Sequence, residues 1–362
     1  MHADRESRIV AAFFFHKVRA MMSRMGRTVR AAGIFVGLVS LGLTAGRVEI
    51  SWPTPNRAWA EGRPVGEYLQ QAGSGKPESG GFGGVRNGGT RFHEGLDLKP
   101  VSRDRRGEPT DAVFAAMDGV VRHIAANPGK SSYGRYIVLE HPEKTPAVYT
   151  LYAHLARIAP GLSVGATVRR GDTIATMGHS ASGYTIPRDR AHLHFEIGVM
   201  ATTGFQAWYD AQKFGSRNDH GVWNGMNLMG FDPLDFLNAW RAKRVGTFAE
   251  YFARMKPAVR LRIATDRVPD FARRYPGLLT KPLPPTLGGW DIAFNWTGLP
   301  FSWTPLTPLE TMGMVPDKPL VRDVDAAIER RERSRTLAVK RHGRWTVDRD
   351  LAAVLDQLFP PH

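Results

Sequence analysis

The chain contains no cysteine. That absence excludes a disulfide framework, a thiolate metal site and a cysteine nucleophile, so any transition metal must be held by histidine and carboxylate. No internal repeat is present. The N-terminal apolar run, "AAGIFVGLVSLGLTAG" from Ala31 to Gly46, is shorter than the ~18–20 residues that a membrane-spanning helix needs. No nucleic-acid-binding motif occurs, and basic residues are not interleaved with aromatics along one element, so nucleic acid is not the expected partner. Acidic residues are in deficit: 34 Asp and Glu stand against 49 Lys and Arg, a net charge of +15. Such an excess suits either an anionic partner, such as a membrane surface or cell-wall polymer, or a solvated basic surface.

What is present is ordered along the 362 residues. Arg19, Arg24, Arg27 and Arg30 precede the apolar run and "AWA" (Ala58 to Ala60) follows it. Cationic lead, short apolar core and small-residue site read as an export signal or membrane anchor over residues 1–60. The expected location is therefore the periplasm or cell envelope, with membrane contact only through that N-terminal segment. Residues 61–80, containing "QQAGSGKPESGG", have the polar Gly/Ser composition of a linker. From 81 to 242 come short β-rich runs broken by Gly, Pro and Asn: "AVFAAMDGVVRHIA", "GRYIVLEH", "AVYTLYAHL", "ATVRRGDTIATMG" and "AHLHFEIG". This spacing predicts a mainly β, antiparallel domain, with a loop-like insertion at 201–230. The remainder, 243–362, is expected to be a mixed α/β extension. "FDPLDFLNAWRAK" and "TFAEYFARM" read as helices, "LVRDVDAAIERRERSR" as helical, "TLAVKRHGRWTV" as a hairpin turning near His342 and Gly343, and "DRDLAAVLDQLF" as a closing helix.

Two stretches concentrate metal-type donors. In "RAHLHFEIG", His192 and His194 alternate with Leu193 and Phe195; in a strand both imidazoles share one face and both apolar side chains the other. In "RFHEGLDL", His93 and Asp97 stand four apart. Gly95 argues against a helix there, and in a strand the even spacing again puts both groups on one face. His154 closes the apolar strand "YTLYAH". Each signal alone has a plainer reading: a turn-capping Asp or an edge histidine. Their co-occurrence in one β-rich region changes the balance. A two-His, one-Asp set supplies three zinc ligands and leaves a fourth position for water, the requirement of a catalytic site.

The order "HxxxD … YAHL … HLHFEI" resembles the LytM/lysostaphin-type zinc metallopeptidases, peptidase family M23, which cut peptidoglycan cross-links. "GFGGVR", "AVFAAMDGVV", "YIVLEH" and "VRRGDTIATMGHSASG" extend the resemblance over about residues 80–199. "FDPLDFL" is similar to the family's closing Asp-Pro-Leu segment, displaced here by the insertion. The resemblance implies a β-barrel-like LytM domain, Zn2+ held by His93, Asp97 and His194, and His154 and His192 as the non-ligand catalytic histidines. Either of that pair is open as the general base. It also implies a substrate: the peptide cross-links of peptidoglycan. Tyr152 and Arg86 read as a core tyrosine and a surface arginine, His141 as structural, and Glu196 as a partner that orients an imidazole.

Two other functions remain open. A LytM-like scaffold that activates a cell-wall amidase would lack metal ligands, whereas all five positions are filled. A separate role for the C-terminal region would use Trp290, Trp296 and Trp303 to stack on sugars; packed core aromatics are the commoner meaning of such residues. No SH3-like or LysM wall-binding module is present, and nothing in the chain signals an oligomeric state.

Overall fold

Alternation of β-branched and aromatic residues with short Gly-rich turns produces twelve strands before residue 232 in the computed structural model, which describes residues 46–360. They are β1 (Gly83–Arg86), β2 (Arg91–His93), β3 (Leu96–Leu98), β4 (Ala112–Phe114), β5 (Gly119–Ala125), β6 (Tyr136–His141), β7 (Val148–Ala153), β8 (Arg157–Ile158), β9 (Thr167–Val168), β10 (Thr173–Thr176), β11 (Leu193–Met200) and β12 (Leu228–Phe231). The main sheet runs β12-β11-β7-β6-β5-β9, all antiparallel, and β3 pairs with the N-terminal half of β11. A second sheet, β4-β10-β8, packs beside it. The main sheet is open, ending at β12 and β9. The barrel-like closure expected from the resemblance does not occur among the described residues, and the domain is a β-rich core in a mixed α/β chain.

Leu193, Phe195 and Ile197 point to one side of β11 and are buried in the main core with Leu96, Leu98, Tyr152 and Val121. Each such side chain contributes roughly 1.5–3 kcal/mol by leaving water. Their burial fixes the register of β11, because a one-residue slip would exchange core and site faces. Tyr152 is wholly buried, and its hydroxyl accepts from the Ala116 N–H and donates to the Thr150 hydroxyl oxygen.

The insertion is more regular than its composition indicates. It forms helix α1 (Phe205–Gln212) and returns through β12 to the sheet edge. Asp232 then caps α2 (Pro233–Arg241), accepting from the Leu234 and Asp235 N–H groups with Pro233 at the first helical position, where its missing N–H costs nothing. Thr247 caps α3 (Phe248–Ala253) in the same way. Beyond it, β13 (Val259–Ala264), α4 (Asp270–Arg274), β14 (Gly289–Phe294), β15 (Pro300–Leu306) and β16 (Leu320–Val324) build a four-stranded antiparallel sheet ordered β15-β14-β13-β16. The chain ends with α5 (Ala326–Arg331), the hairpin β17 (Ala338–Arg341) and β18 (Arg344–Val347), and α6 (Arg349–Leu358).

Several expectations need correction. "LVRDV" is a strand, and the helix begins only after Asp325, whose side chain caps Ala327 and Ile328. Trp290 and Trp303 have no exposed surface and meet edge to face, while Trp296 packs on Phe82 and Phe92; these are core aromatics, not a sugar platform. Residues 61–80 do not hang free. Tyr68 and Leu69 are buried, Leu69 bridges to Leu98, and the Gln70 N–H donates to the Asp97 carbonyl. Two well-placed apolar side chains outweigh the Gly/Ser composition around them. The "AWA" stretch is likewise integrated: Trp59 is buried, stacks on Trp52 and donates to Asn238 Oδ1. Cleavage after Ala60 would therefore strip Val48, Ile50, Trp52 and Trp59 from the core. The basic and apolar stretches over 19–45 lie outside the described residues, among which no helix is long and apolar enough to cross a membrane.

His141 is structural and makes the fold acid-sensitive. It is buried, donates from Nδ1 to the Asp118 carbonyl at 2.7 Å and accepts at Nε2 from Thr150 Oγ1 at 2.8 Å. Burial pushes its imidazole down to about 4. The unfolded chain, titrating near 6.5, then binds the proton first, so stability is complete above pH 6.5 and is lost as pH falls from there toward 4. A loss of about 2–3 kcal/mol is expected between pH 7.5 and 4.5 from this group. Urea midpoints at the two pH values measure it, and His141→Gln should flatten the dependence.

Candidate metal centre

Register brings the site together. Across the β3–β11 pair, Asp97 lies directly opposite His194; across the β7–β11 pair, His194 lies opposite Ala153, the residue before His154. His93 arrives from a different strand. The chain breaks at Glu94 and Gly95, so β2 pairs with β1 while β3 pairs with β11. His93 and Asp97 thus share a site without sharing a strand, contrary to the single extended run expected. Gly95 makes the break possible, since a Cβ there would lie 2.3 Å from the Phe195 carbonyl oxygen.

Four imidazoles surround one carboxylate. Asp97 Oδ1 lies 3.1 Å from His93 Nε2, 3.2 Å from His194 Nδ1 and 3.3 Å from His192 Nε2. His93 Nε2 and His194 Nδ1 are 3.0 Å apart. His154 stands beside them, its ring 4.9 Å from that of His192 and 5.8 Å from that of His194. All five side chains are buried. Among the described residues the other histidines stay outside: His123 meets His220, and His179 meets Glu108.

Hydrogen bonds behind the cluster decide which nitrogen faces it. His93 Nδ1–H donates to the Gly81 carbonyl at 2.6 Å, leaving Nε2 as an acceptor toward the site. His194 Nε2–H donates to Glu196 Oε1 at 2.9 Å, turning Nδ1 inward. Glu196 is buried and also accepts from the Tyr133 and Tyr149 hydroxyls at 2.6 and 2.9 Å. Burial first, and the Glu196 charge next, hold both phenols well above their usual range, so they remain donors. Arg86 donates to Asp97 Oδ2 and leaves Oδ1 for the cluster. Arg86 is therefore a partner of the site rather than the surface arginine expected from the sequence.

Zinc fits this donor set. Three lone-pair atoms converge at 3.0–3.2 Å, close to the ~3.4 Å expected between ligands that each sit about 2.0–2.2 Å from a tetrahedral ion. Two buried carboxylates face one arginine, so a cation is wanted at the centre. The same imbalance appears in His194: burial lowers its pKa, but hydrogen bonds and charge from Asp97 and Glu196 override that and raise it to about 9. For Asp97, burial raises the carboxyl, yet the neighbouring His192 and His93 hold it well below the usual carboxylate range. His93, Asp97 and His194 also form the one group of metal-type donors with this convergence among the described residues.

Glu196→Gln tests the layer behind the ligands. Removing the charge that His194 leans on is expected to weaken zinc affinity about 10–100-fold with the fold retained. Chelator competition followed by circular dichroism measures both.

His154 and His192 differ from the ligands in what holds them. His154 Nδ1–H donates to the Ser180 carbonyl at 2.8 Å, so its Nε2 is an acceptor; His192 Nδ1–H donates to the Arg190 carbonyl at 2.7 Å, which turns Nε2 toward Asp97 Oδ1. Burial, reinforced by the neighbouring imidazoles, keeps His154 well below the usual histidine range and hence neutral.

The model of peptidase family M23 matches residues 91–204. A zinc-containing peptidase from Vibrio cholerae is 26% identical over 42% of this chain and 37% of its own length, with a TM-score of 0.28. The chain thus spans little more than a third of that relative. The catalytic domain of the antimicrobial peptidase lysostaphin from Staphylococcus simulans is 19% identical over 48% of this chain and 95% of its own, with a TM-score of 0.30. No curated protein matches the chain.

Proposed function

Because residues 91–204 match the model of peptidase family M23, we propose that the chain is a zinc-dependent endopeptidase that hydrolyses peptide cross-links of peptidoglycan at the cell envelope. The observation that carries this reading is the convergence of His93 Nε2, Asp97 Oδ1 and His194 Nδ1 beside two further histidines that are not needed as ligands.

His93, Asp97 and His194 would hold the ion. When bound, zinc lowers the pKa of water toward ~7 and polarises a carbonyl. The protein's own contribution is proton handling. His154 offers a neutral imidazole with Nε2 open to accept, and His192 turns its Nε2 toward the cluster, so the pair can take a proton from the attacking water and return it to the leaving amine. The Ser180 and Arg190 carbonyls stabilise the imidazolium formed in between and keep both rings aimed at the cluster. We assign residues 81–242 to the peptidase, and the N-terminal basic and apolar stretches within residues 1–60 to export or anchoring.

The decisive experiment incubates the zinc-loaded chain with defined cross-linked muropeptides and follows products by mass spectrometry. New amine and carboxylate ends that disappear with a chelator and return with zinc are expected. Full zinc occupancy with no cleavage would reject the reading and leave the amidase-activating scaffold.

A further inference from the structure

The strand pair that carries His93 belongs to neither of the larger sheets around the site. β1 and β2 pair with each other and, among the described residues, with no other strand. A two-stranded ribbon is marginal in water unless one face is packed. Yet this ribbon holds His93 Nε2 at 3.1 Å from Asp97 Oδ1, an atom delivered by the main sheet. It also carries Arg86, which donates to Asp97 Oδ2. Zinc–ligand distances are kept within about 0.2 Å, so a ribbon free to rock would lose metal before it lost its fold.

The face turned away from the cluster is covered from the C-terminal region. Phe92 precedes His93, so extended backbone points its ring away from the ligand, and it lies 5.8 Å from the Trp296 ring. Phe82 meets the same indole edge to face at 5.9 Å. It directly follows Gly81, whose carbonyl takes the His93 Nδ1–H. Gly83 is the cross-strand partner of His93. A Cβ there would stand 2.6 Å from Trp296 Cη2, so the indole rests on bare backbone opposite the ligand. Arg335 adds a guanidinium 4.3 Å from the Phe92 ring centroid, a cation–π contact.

Trp296 is itself firmly placed. It lies in the turn between β14 and β15, where Asn295 Oδ1 accepts from the Thr297 N–H, the Thr297 hydroxyl and the Leu299 N–H. Asn295 is buried, and the strands that leave the turn pair from Phe294 with Pro300 to Gly289 with Leu306. The indole is thus a fixed stop on a four-stranded sheet, set against a ribbon with little rigidity of its own.

We propose that Trp296 is a positioning residue of the metal centre, fixing His93 through Gly83 and Phe92, so that the C-terminal region sets the zinc affinity of a site to which it gives no ligand. The assignment rests on the zinc-peptidase reading of the cluster and gives residues 243–362 a part in it.

The test reads metal affinity apart from turnover. The full chain carrying Trp296→Ala, Trp296→Phe or Trp303→Phe is compared with the unaltered chain by competition for zinc against a chromogenic chelator. Urea midpoints are measured alongside. Trp303 packs on Trp290, Phe271 and Phe359, so its truncation loosens the C-terminal core without unloading the ribbon. Trp296→Ala is expected to weaken zinc binding about tenfold, the lower end of what groups behind metal ligands contribute. Trp296→Phe keeps a ring against Phe82 and Phe92 and should recover most of that loss. Trp303→Phe should lower the urea midpoint and leave zinc affinity unchanged. If Trp296→Ala does not fold by circular dichroism, Trp296→Leu takes its place with the same expected direction. Unchanged affinity in the truncated protein, no recovery with phenylalanine, or an equal loss in Trp303→Phe would overturn the proposal. Zinc affinity that depends on Trp296 in a chain that cleaves no muropeptide rejects the endopeptidase and keeps the positioning role; cleavage with zinc affinity indifferent to Trp296 does the reverse.

Discussion

Replacing Asp97 with alanine is expected to remove bound zinc and hydrolysis together. Its Oδ1 is the one atom within 3.3 Å of three imidazole nitrogens, and Oδ2 takes Arg86. The substitution deletes a ligand and turns a balanced cluster into one where the Arg86 charge faces two histidines without compensation. Two imidazoles alone are an incomplete zinc site. Elemental analysis should find metal near background, and muropeptide turnover should drop by at least about 10^3-fold, since loss of the Lewis acid removes both carbonyl polarisation and the lowered water pKa. Asp97→Asn keeps the shape and loses the charge, and should fail in the same direction. Wild-type turnover in a zinc-free Asp97→Ala protein would end the hydrolase assignment.

The second large effect separates chemistry from metal. His154→Ala and His192→Ala are each expected to keep zinc at one ion per chain and to lower kcat by about 10^2–10^4-fold, the range for a positioned general acid or base. The reason is geometric: neither imidazole is needed to complete the His93, Asp97, His194 set, and both stand beside it with Nδ1 held by a backbone carbonyl. KM should change much less than kcat, because the lost interaction belongs to the transition state. If zinc is lost from both variants instead, the histidines are ligands and their division of labour is different. If kcat is unchanged in either, that residue has no part in proton transfer.

Most of the site could be read from the sequence because its elements are short strands with strict alternation. His194 on β11 and His192 just before it, both turned to the cluster with Leu193 and Phe195 in the core, follow from periodicity alone. Glu196, two residues further on the same face, was legible as an imidazole partner for the same reason. Contacts set by long-range pairing were not. Nothing local in "GFGGVR" shows that Arg86 reaches Asp97, and nothing near Tyr133 or Tyr149 shows that both close on Glu196. The break at Gly95 was misread because even spacing suggests one strand, whereas two half-strands give the same convergence. In the C-terminal region, Pro and Trp hid β14 and β15. Pro300 and Pro305 lie in a strand at the end of its sheet, where proline is tolerated. The charged tail of "LVRDVDAAIERRERSR" carried a helical signal back over a strand that ends at Val324.

His154 has a backbone φ of 61°, in the left-handed region where a side chain is disfavoured. Asparagine or glycine would occupy that position with about 1 kcal/mol less strain. An imidazole kept at such a corner lowers the stability of the chain, as reactive positions in enzymes commonly do. A descendant freed from turnover and selected only for robustness would be expected to exchange this residue early. Its presence here is what a working catalyst, more than a silent docking platform, would retain.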